Sequence, residues 1–303
     1  PKTRVPAFLE ALAARFELYG PQVDASGETL FDRAADPAAI RLDAPIPYNP
    51  VKSVLFPQTE TVLSYSYDRE TKTAAISRPD VVRPKAFVGV RPCDLTGILC
   101  LDRFYLGQEF VDEVYRDHRK RLFIVANTCV RPFAQCFCVC TGSGPAAEEG
   151  YDVNLTDLGE AYLFEPGSDA GREMAAGLGL APAGPDHLRT KERVVDASIA
   201  AFEPVAVENK AWISRAVNRL TTGFVSNETW EYIGMQCLEC GACSFVCPTC
   251  SCFNVEDVRP AGGPTERLRC WDSCSFEGFS RMAGEHNPRR PVEDRRNKRF
   301  FCK

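Results

Sequence analysis

Apolar residues recur at helical spacing near the start of the chain. Val5, Phe8, Leu9, Leu12 and Phe16 fall on one stripe of "VPAFLEALAARFELYGP", with Glu10 and Arg15 on the other side. That period predicts an amphipathic helix, ended by Gly20-Pro21. Further along the period changes. "KAFVGV" (85–90) and "RLFIVAN" (121–127) are short, unbroken apolar runs, the pattern of strands buried on both faces. Between them "DLTGILCLDRFYL" returns to helical spacing, with Asp94 placed as an N-cap. Strand, helix and strand in this order predict two parallel neighbours joined by a right-handed crossover. "YDVNLTDLG" and "EAYLFEP", within 151–166, predict a hairpin. "GLGLAPAG" (177–184) reads as a surface turn, because Pro182 blocks a helix there.

These patterns divide the chain into three parts. Residues 1–190 form an α/β domain with a partly parallel sheet. Residues 191–230 form a helical connector, with a helix around 211–220. Residues 231–303 form a cysteine-rich domain. No internal repeat or low-complexity tract interrupts them.

Composition narrows the function. The chain has 303 residues, enough for two domains and a sizeable core. With 36 basic against 41 acidic residues the net charge is −5, so no global basic field asks for nucleic acid. The basic run at 289–299 lacks interleaved aromatics and reads as a solvated face or a partner-docking segment. No apolar run approaches the roughly 18 residues of a membrane span. No signal peptide is read, and a cytoplasmic location is expected. In such a reducing compartment the 15 cysteines indicate metal or redox chemistry more than disulfides, and their odd number points the same way.

Six of those cysteines crowd into "CLECGACSFVCPTCSCFNV", 237–255. Cys237, Cys240, Cys243 and Cys247 read C-x2-C-x2-C-x3-C, followed by Pro248, the run of bacterial ferredoxins. Three thiolates spaced in threes along a tight loop reach three irons of one [4Fe–4S] cubane. The fourth serves the other cluster where two are present. Gly241 lets the backbone approach closely. A zinc site more often shows two C-x2-C pairs a dozen or more residues apart. The expected fold of 231–303 is therefore bacterial-ferredoxin-like α+β. Such a domain normally carries two runs, and here there is one. Either the cysteines at 250, 252, 270, 274 and 302 complete the site, or a second run lies beyond Lys303.

A second sulfur group is predicted by topology. Cys93 follows the first strand of the β-α-β unit, and Cys129 follows the second. Parallel neighbours end at the same sheet edge, where open α/β sheets place ligands. The following loop, "CFCVC", brings Cys136 and Cys138 to that edge, with Cys140 left over. We read Cys93, Cys129, Cys136 and Cys138 as ligands of another iron–sulfur cluster. Cys100, inside the helix, reads as a small buried hydrophobe.

Other motifs carry less. "GSGPAA" (142–147) matches a dinucleotide fingerprint only formally, since it follows a cysteine loop and contains Pro145. His118, His187 and His286 are scattered, and no paired-carboxylate or Ser/His/Asp set stands out, so no substrate chemistry is read in this chain.

Taken in order, "VGVRPCDLTGILCLDRFYLG", "IVANTCVRPFAQCFCVCTGSGP", "YDVNLTDLGEAYLFEPGS", "CLECGACSFVCPTCSCF" and "RCWDSCSFEGFSRMAGEHNPR" resemble one set of proteins. These are the beta subunits of cytoplasmic NAD(P)-linked nickel–iron hydrogenases (sulfhydrogenases) and the corresponding iron–sulfur subunits of anaerobic sulfite reductases. Related subunits occur in heterodisulfide-reductase-like complexes. The resemblance implies a non-catalytic iron–sulfur subunit with two or three [4Fe–4S] clusters when complete. It would pass electrons between a flavin/NAD(P)-binding subunit and a catalytic one, a nickel–iron hydrogenase small subunit or a sulfite reductase. It also implies a second ferredoxin run past Lys303, and it is broken at Glu285, where glycine is usual. The rival classes are a self-contained flavin or nucleotide reductase and a structural zinc protein.

Overall fold

The two unbroken apolar runs lie at the centre of a six-stranded sheet, and in the second every residue from Leu122 to Asn127 is buried. The computed structural model describes residues 1–79, 83–202 and 215–302. Among them the strands are β1 (Glu17–Val23), β2 (Thr29–Arg33), β3 (Thr59–Asp68), β4 (Thr73–Ser77), β5 (Lys85–Val90), β6 (Leu122–Asn127), β7 (Val153–Asp157), β8 (Tyr162–Pro166), β9 (Phe253–Val258) and β10 (Thr265–Trp271). The helices up to residue 202 are α1 (Val5–Ala13), α2 (Lys52–Leu55), α3 (Pro92–Leu106), α4 (Glu113–Lys120), α5 (Cys138–Thr141), α6 (Asp169–Gly177) and α7 (Pro185–Ala200).

The chain divides into two compact units, neither contiguous. The first takes Pro1–Val51, Val82–Arg103 and Asp117–Ser214, and the second Lys52–Val81, Phe104–Arg116 and Arg215–Lys303. Residues 52–81 and 104–116 fall in the second unit, although they lie inside the 1–190 span read as one domain.

The first unit holds the sheet β2-β1-β5-β6-β7-β8. Its inner pairs β1–β5, β5–β6 and β6–β7 are parallel, and its outer pairs β1–β2 and β7–β8 are antiparallel. The predicted β-α-β unit is thus β5, α3 and β6, and the predicted hairpin is β7 and β8. α1 lays Phe8, Leu9 and Leu12 in a core with Ala86, Val88, Phe123 and Val125. Each buried side chain of the larger kind stabilises the fold by about 1.5–3 kcal/mol. On α3 the buried residues Leu95, Ile98 and Leu101 recur every third position, so one face of the helix is inward.

Three local expectations change. α3 begins at Pro92, so Asp94 lies inside its first turn and is not the N-cap. α1 ends at Ala13, so Phe16 lies beyond the helix, partly buried against the same core. Gly20 and Pro21 lie within β1. The pair does not end the helix but lies within a strand: Pro21 lies past the last β1–β5 partners, Tyr19 and Phe87, where its missing N–H takes no bond from that ladder. Opposite it, Gly89 has φ +76° at the register shift of β5, and a Cβ there would stand 3.1 Å from the Pro21 ring. Of the helix expected around 211–220, residues 211–214 lie outside the described residues, and 215–221 are helical.

The second unit is built on an antiparallel sheet, β4-β3-β10-β9. Its centre is polar at one point. Arg269 on β10 is buried, donates to Glu60 at 2.9 Å and also to Asp112, and lies over the rings of Phe56, Tyr105 and Phe253. Two carboxylates and three aromatic faces replace the water this guanidinium has lost. Among the described residues no helix is long and apolar enough to cross a membrane.

Candidate metal centres

In the second unit, Cys237, Cys240 and Cys243 occupy a curled loop that runs into a short helix, Ala242–Phe245. The helix Asn227–Met235 ends just before it, and the Cys237 amide donates back to Gly234 at 2.9 Å. Two residues of the next four then take left-handed backbone, Glu239 at φ +54° and Gly241 at φ +72°. Glu239 tolerates this because its carboxylate is held by Arg295 at 2.7 Å. Arg295 is buried and also donates to the carbonyls of Ser275, Arg289 and Arg290. One guanidinium therefore ties the cysteine loop to the 275–290 segment and to the helix Val292–Cys302 that carries it.

Gly241 caps the short helix, its carbonyl accepting the Ser244 amide at 2.8 Å. A Cβ on Gly241 would come within 2.5 Å of the Phe276 ring. Left-handed backbone costs an L-residue roughly 1–2 kcal/mol before any clash. Gly241→Ala is expected to lower both the thermal midpoint and the iron bound per chain. Wild-type values for both, by calorimetry and iron assay, would refute this account of the loop.

Behind the loop the polar groups are paired. Ser244, Ser273 and Ser275 form a buried hydroxyl ladder, with oxygens 2.9 and 2.7 Å apart. The Cys247 sulfur lies 3.2 Å from the Thr249 hydroxyl. Cys250 and Cys274 are buried. Lys52 of α2 is also buried, donating to the carbonyls of Ser244 at 2.9 Å and Cys250 at 3.0 Å.

The first unit gathers the other sulfur group at the carboxyl ends of β5 and β6. Arg91 and Pro92 make the β5–α3 turn, and Cys93 lies in the first turn of α3. Cys129 follows β6, its amide donating to Pro145 at 3.0 Å. Cys138 opens α5, which closes on left-handed Gly142. Gly144 lies so near the Cys138 sulfur that a Cβ would meet it at 3.0 Å. Cys136 accepts the Phe133 amide at 3.3 Å, and Cys129 accepts Arg91 Nη1 at 3.4 Å. Arg91 is held in turn by the Ala44 carbonyl at 2.6 Å and lies over the Phe133 ring.

Electrostatics shows that these thiols sense one another. Burial pushes the Cys93 thiol far up, helped by Asp94, Cys129 and Cys138. Cys129 is raised by burial and by Cys136, while the Arg91 charge opposes both. Cys138 is raised to about 11 by burial, then by Cys129 and Cys136. Asp94 is raised to about 6 by its own burial. Cys93, Cys129 and Cys138 are thus all held toward the thiol form, and a positive centre placed among them would favour their thiolates. Cys93, Cys129, Cys136 and Cys138 influence one another in this way, and Cys140 on α5 and Cys100 on α3 are both half-buried. Among the described residues no three His, Cys, Asp or Glu side chains are spaced for a single metal ion. A cubane carries its thiolates on separate irons and takes them farther apart than a mononuclear site does.

Sequence reasoning missed three basic residues. Arg91 has a local signal, since it abuts Pro92 and Cys93. Arg295 and Lys52 have none, because each reaches the cysteine loop from far along the chain.

Comparison with known proteins bears on the cysteine-rich C-terminal segment. Residues 236–303 match the 4Fe-4S dicluster domain family. The chain is 31% identical over 221 residues to the sulfhydrogenase 2 subunit beta of Pyrococcus furiosus, an alignment covering 71% of this chain and 62% of that protein. No solved structure matches significantly.

Proposed function

We propose, from the premise that this chain is a homologue of hydrogenase beta-type iron–sulfur subunits, that it relays single electrons within a cytoplasmic redox complex. One partner would be a flavin/NAD(P)-binding subunit, and the other the catalytic subunit of a hydrogenase. The observation that carries this reading is the C-x2-C-x2-C-x3-C-P loop lying inside the matched dicluster domain. In this proposal Cys237, Cys240 and Cys243 hold one cluster and Cys247 serves the other of the pair. Cys93, Cys129, Cys136 and Cys138 hold a further one, which gives two or three in all. Residues 231–303 then act as a ferredoxin-like domain.

A bound [4Fe–4S] cluster accepts and releases one electron at a time. The chain's own residues hold the thiolates at fixed spacing and shape the water around them. The amides of Gly241 and Ala242 are suited to donate to cluster sulfurs. Arg91 brings a positive charge and a hydrogen bond to the Cys129 sulfur, which favours the thiolate there.

The test is anaerobic purification of the native complex, with metal, acid-labile sulfide and flavin assayed in each polypeptide separately. Iron and sulfide are expected in this chain, and flavin in a neighbouring one. Flavin bound to this chain, or zinc in place of iron, overturns the proposal.

A further inference from the structure

Lys52 is 2% exposed, yet it carries an ammonium group. Burying a cation costs several kcal/mol even after the protein relaxes around it. The position is fixed from three directions. Nζ donates to the carbonyls of Ser244 and Cys250, and it lies 4.4 Å from the centre of the Trp271 ring. Trp271 is itself anchored, its indole N–H donating to the Phe56 carbonyl at 3.0 Å, and it packs against Phe245 of the short helix. Each of these three contacts is a neutral dipole or an aromatic face, and each orients the charge. The two carbonyls bracket the stretch that contains Cys247, and Ser244 directly follows Cys243.

We propose that Lys52 is a positioning residue that raises the reduction potential of the cluster held by Cys237, Cys240 and Cys243, by fixing one positive charge inside the Ser244–Cys250 loop. Thiolate-bound clusters are anionic, and reduction adds one more negative charge. A nearby cation in a poorly solvated site favours that reduced state, because charge and burial are among the factors that set cluster potentials. A lysine used only to close the loop would be replaceable by any side chain that fills the space and satisfies the carbonyls. Charge is what distinguishes the two roles.

The experiment is a redox titration of the full-length chain, followed by electron paramagnetic resonance under anaerobic conditions. The signal to follow is the one lost in Cys240→Ala. Lys52→Met and Lys52→Gln remove the charge, and Lys52→Arg keeps it. The neutral variants are expected to keep their iron while the reduction equilibrium falls at least tenfold, a shift of about 59 mV for one electron. Lys52→Arg is expected to stay near wild type. Neutral variants that load iron with an unshifted midpoint overturn the role of Lys52 alone. So does loss of iron from both, which assigns the residue to loop closure. The inference rests on a cluster being bound by this loop, and a wild-type chain without a Cys240-dependent signal overturns both.

Discussion

Replacing Cys240 by alanine is expected to remove about four irons per chain and to reduce electron transfer between partner subunits to background. A [4Fe–4S] cube needs four protein ligands, and Cys240 is the middle member of the three-thiol set in the ferredoxin-type loop. The loop offers little room to recruit another. Glu239 and Gly241 on either side are held in left-handed backbone, and Arg295 pins Glu239 to the 275–290 segment. The neighbouring Cys250 and Cys274 are buried, whereas Cys240 is exposed. A shift of the loop that brought either of them in would have to break the Arg295 bonds. Iron and sulfide assays with a partner-dependent electron-transfer assay measure the outcome. A variant with unchanged iron and full transfer would remove Cys240 from the ligand set.

The second large effect concerns the sulfur group at the sheet edge. Cys129→Ala in the full-length chain is expected to lose about four irons, independently of the Cys240 loss, because the two ligand sets share no residue. The double variant should therefore lose about twice as many. Cys140→Ala serves as the contrast, since Cys140 stands outside the proposed ligand set of Cys93, Cys129, Cys136 and Cys138, and it is expected to keep its iron. Equal iron in wild type and Cys129→Ala would leave the first unit a scaffold and confine the relay to the second. The full chain is the right material for this test. A 1–190 fragment would cut α7 and would separate β3 from β10, the strand it pairs with.

Much of the first unit was legible in the sequence because its signals are local. Unbroken apolar runs make strands buried on both faces, and the helical period between them makes the crossover. β5, α3 and β6 follow directly from those patterns, as does the β7–β8 hairpin. The convergence of Cys93 with Cys129 followed from a topological rule: parallel neighbours end at one edge. The iron–sulfur signal at 237–247 was legible for the same reason, since the C-x2-C-x2-C-x3-C-P spacing lies within one loop.

Tertiary structure decided what depends on distant pairings. Nothing in "TETVLSYSYD" says that it will pair with a strand two hundred residues away, yet β3 and β10 are neighbours, and the second unit draws in 52–81 and 104–116. Gly20-Pro21 reads as a helix stop in isolation and becomes part of a strand once β2 offers it partners. Lys52 and Arg295 look like ordinary surface charges in their own segments. They are buried because folding closes the cysteine loop over them, and the backbone carbonyls of that loop and its neighbouring segment take the place of water. A local period records which face of an element is apolar. It carries no information about which polar atoms another part of the chain will bring to that face.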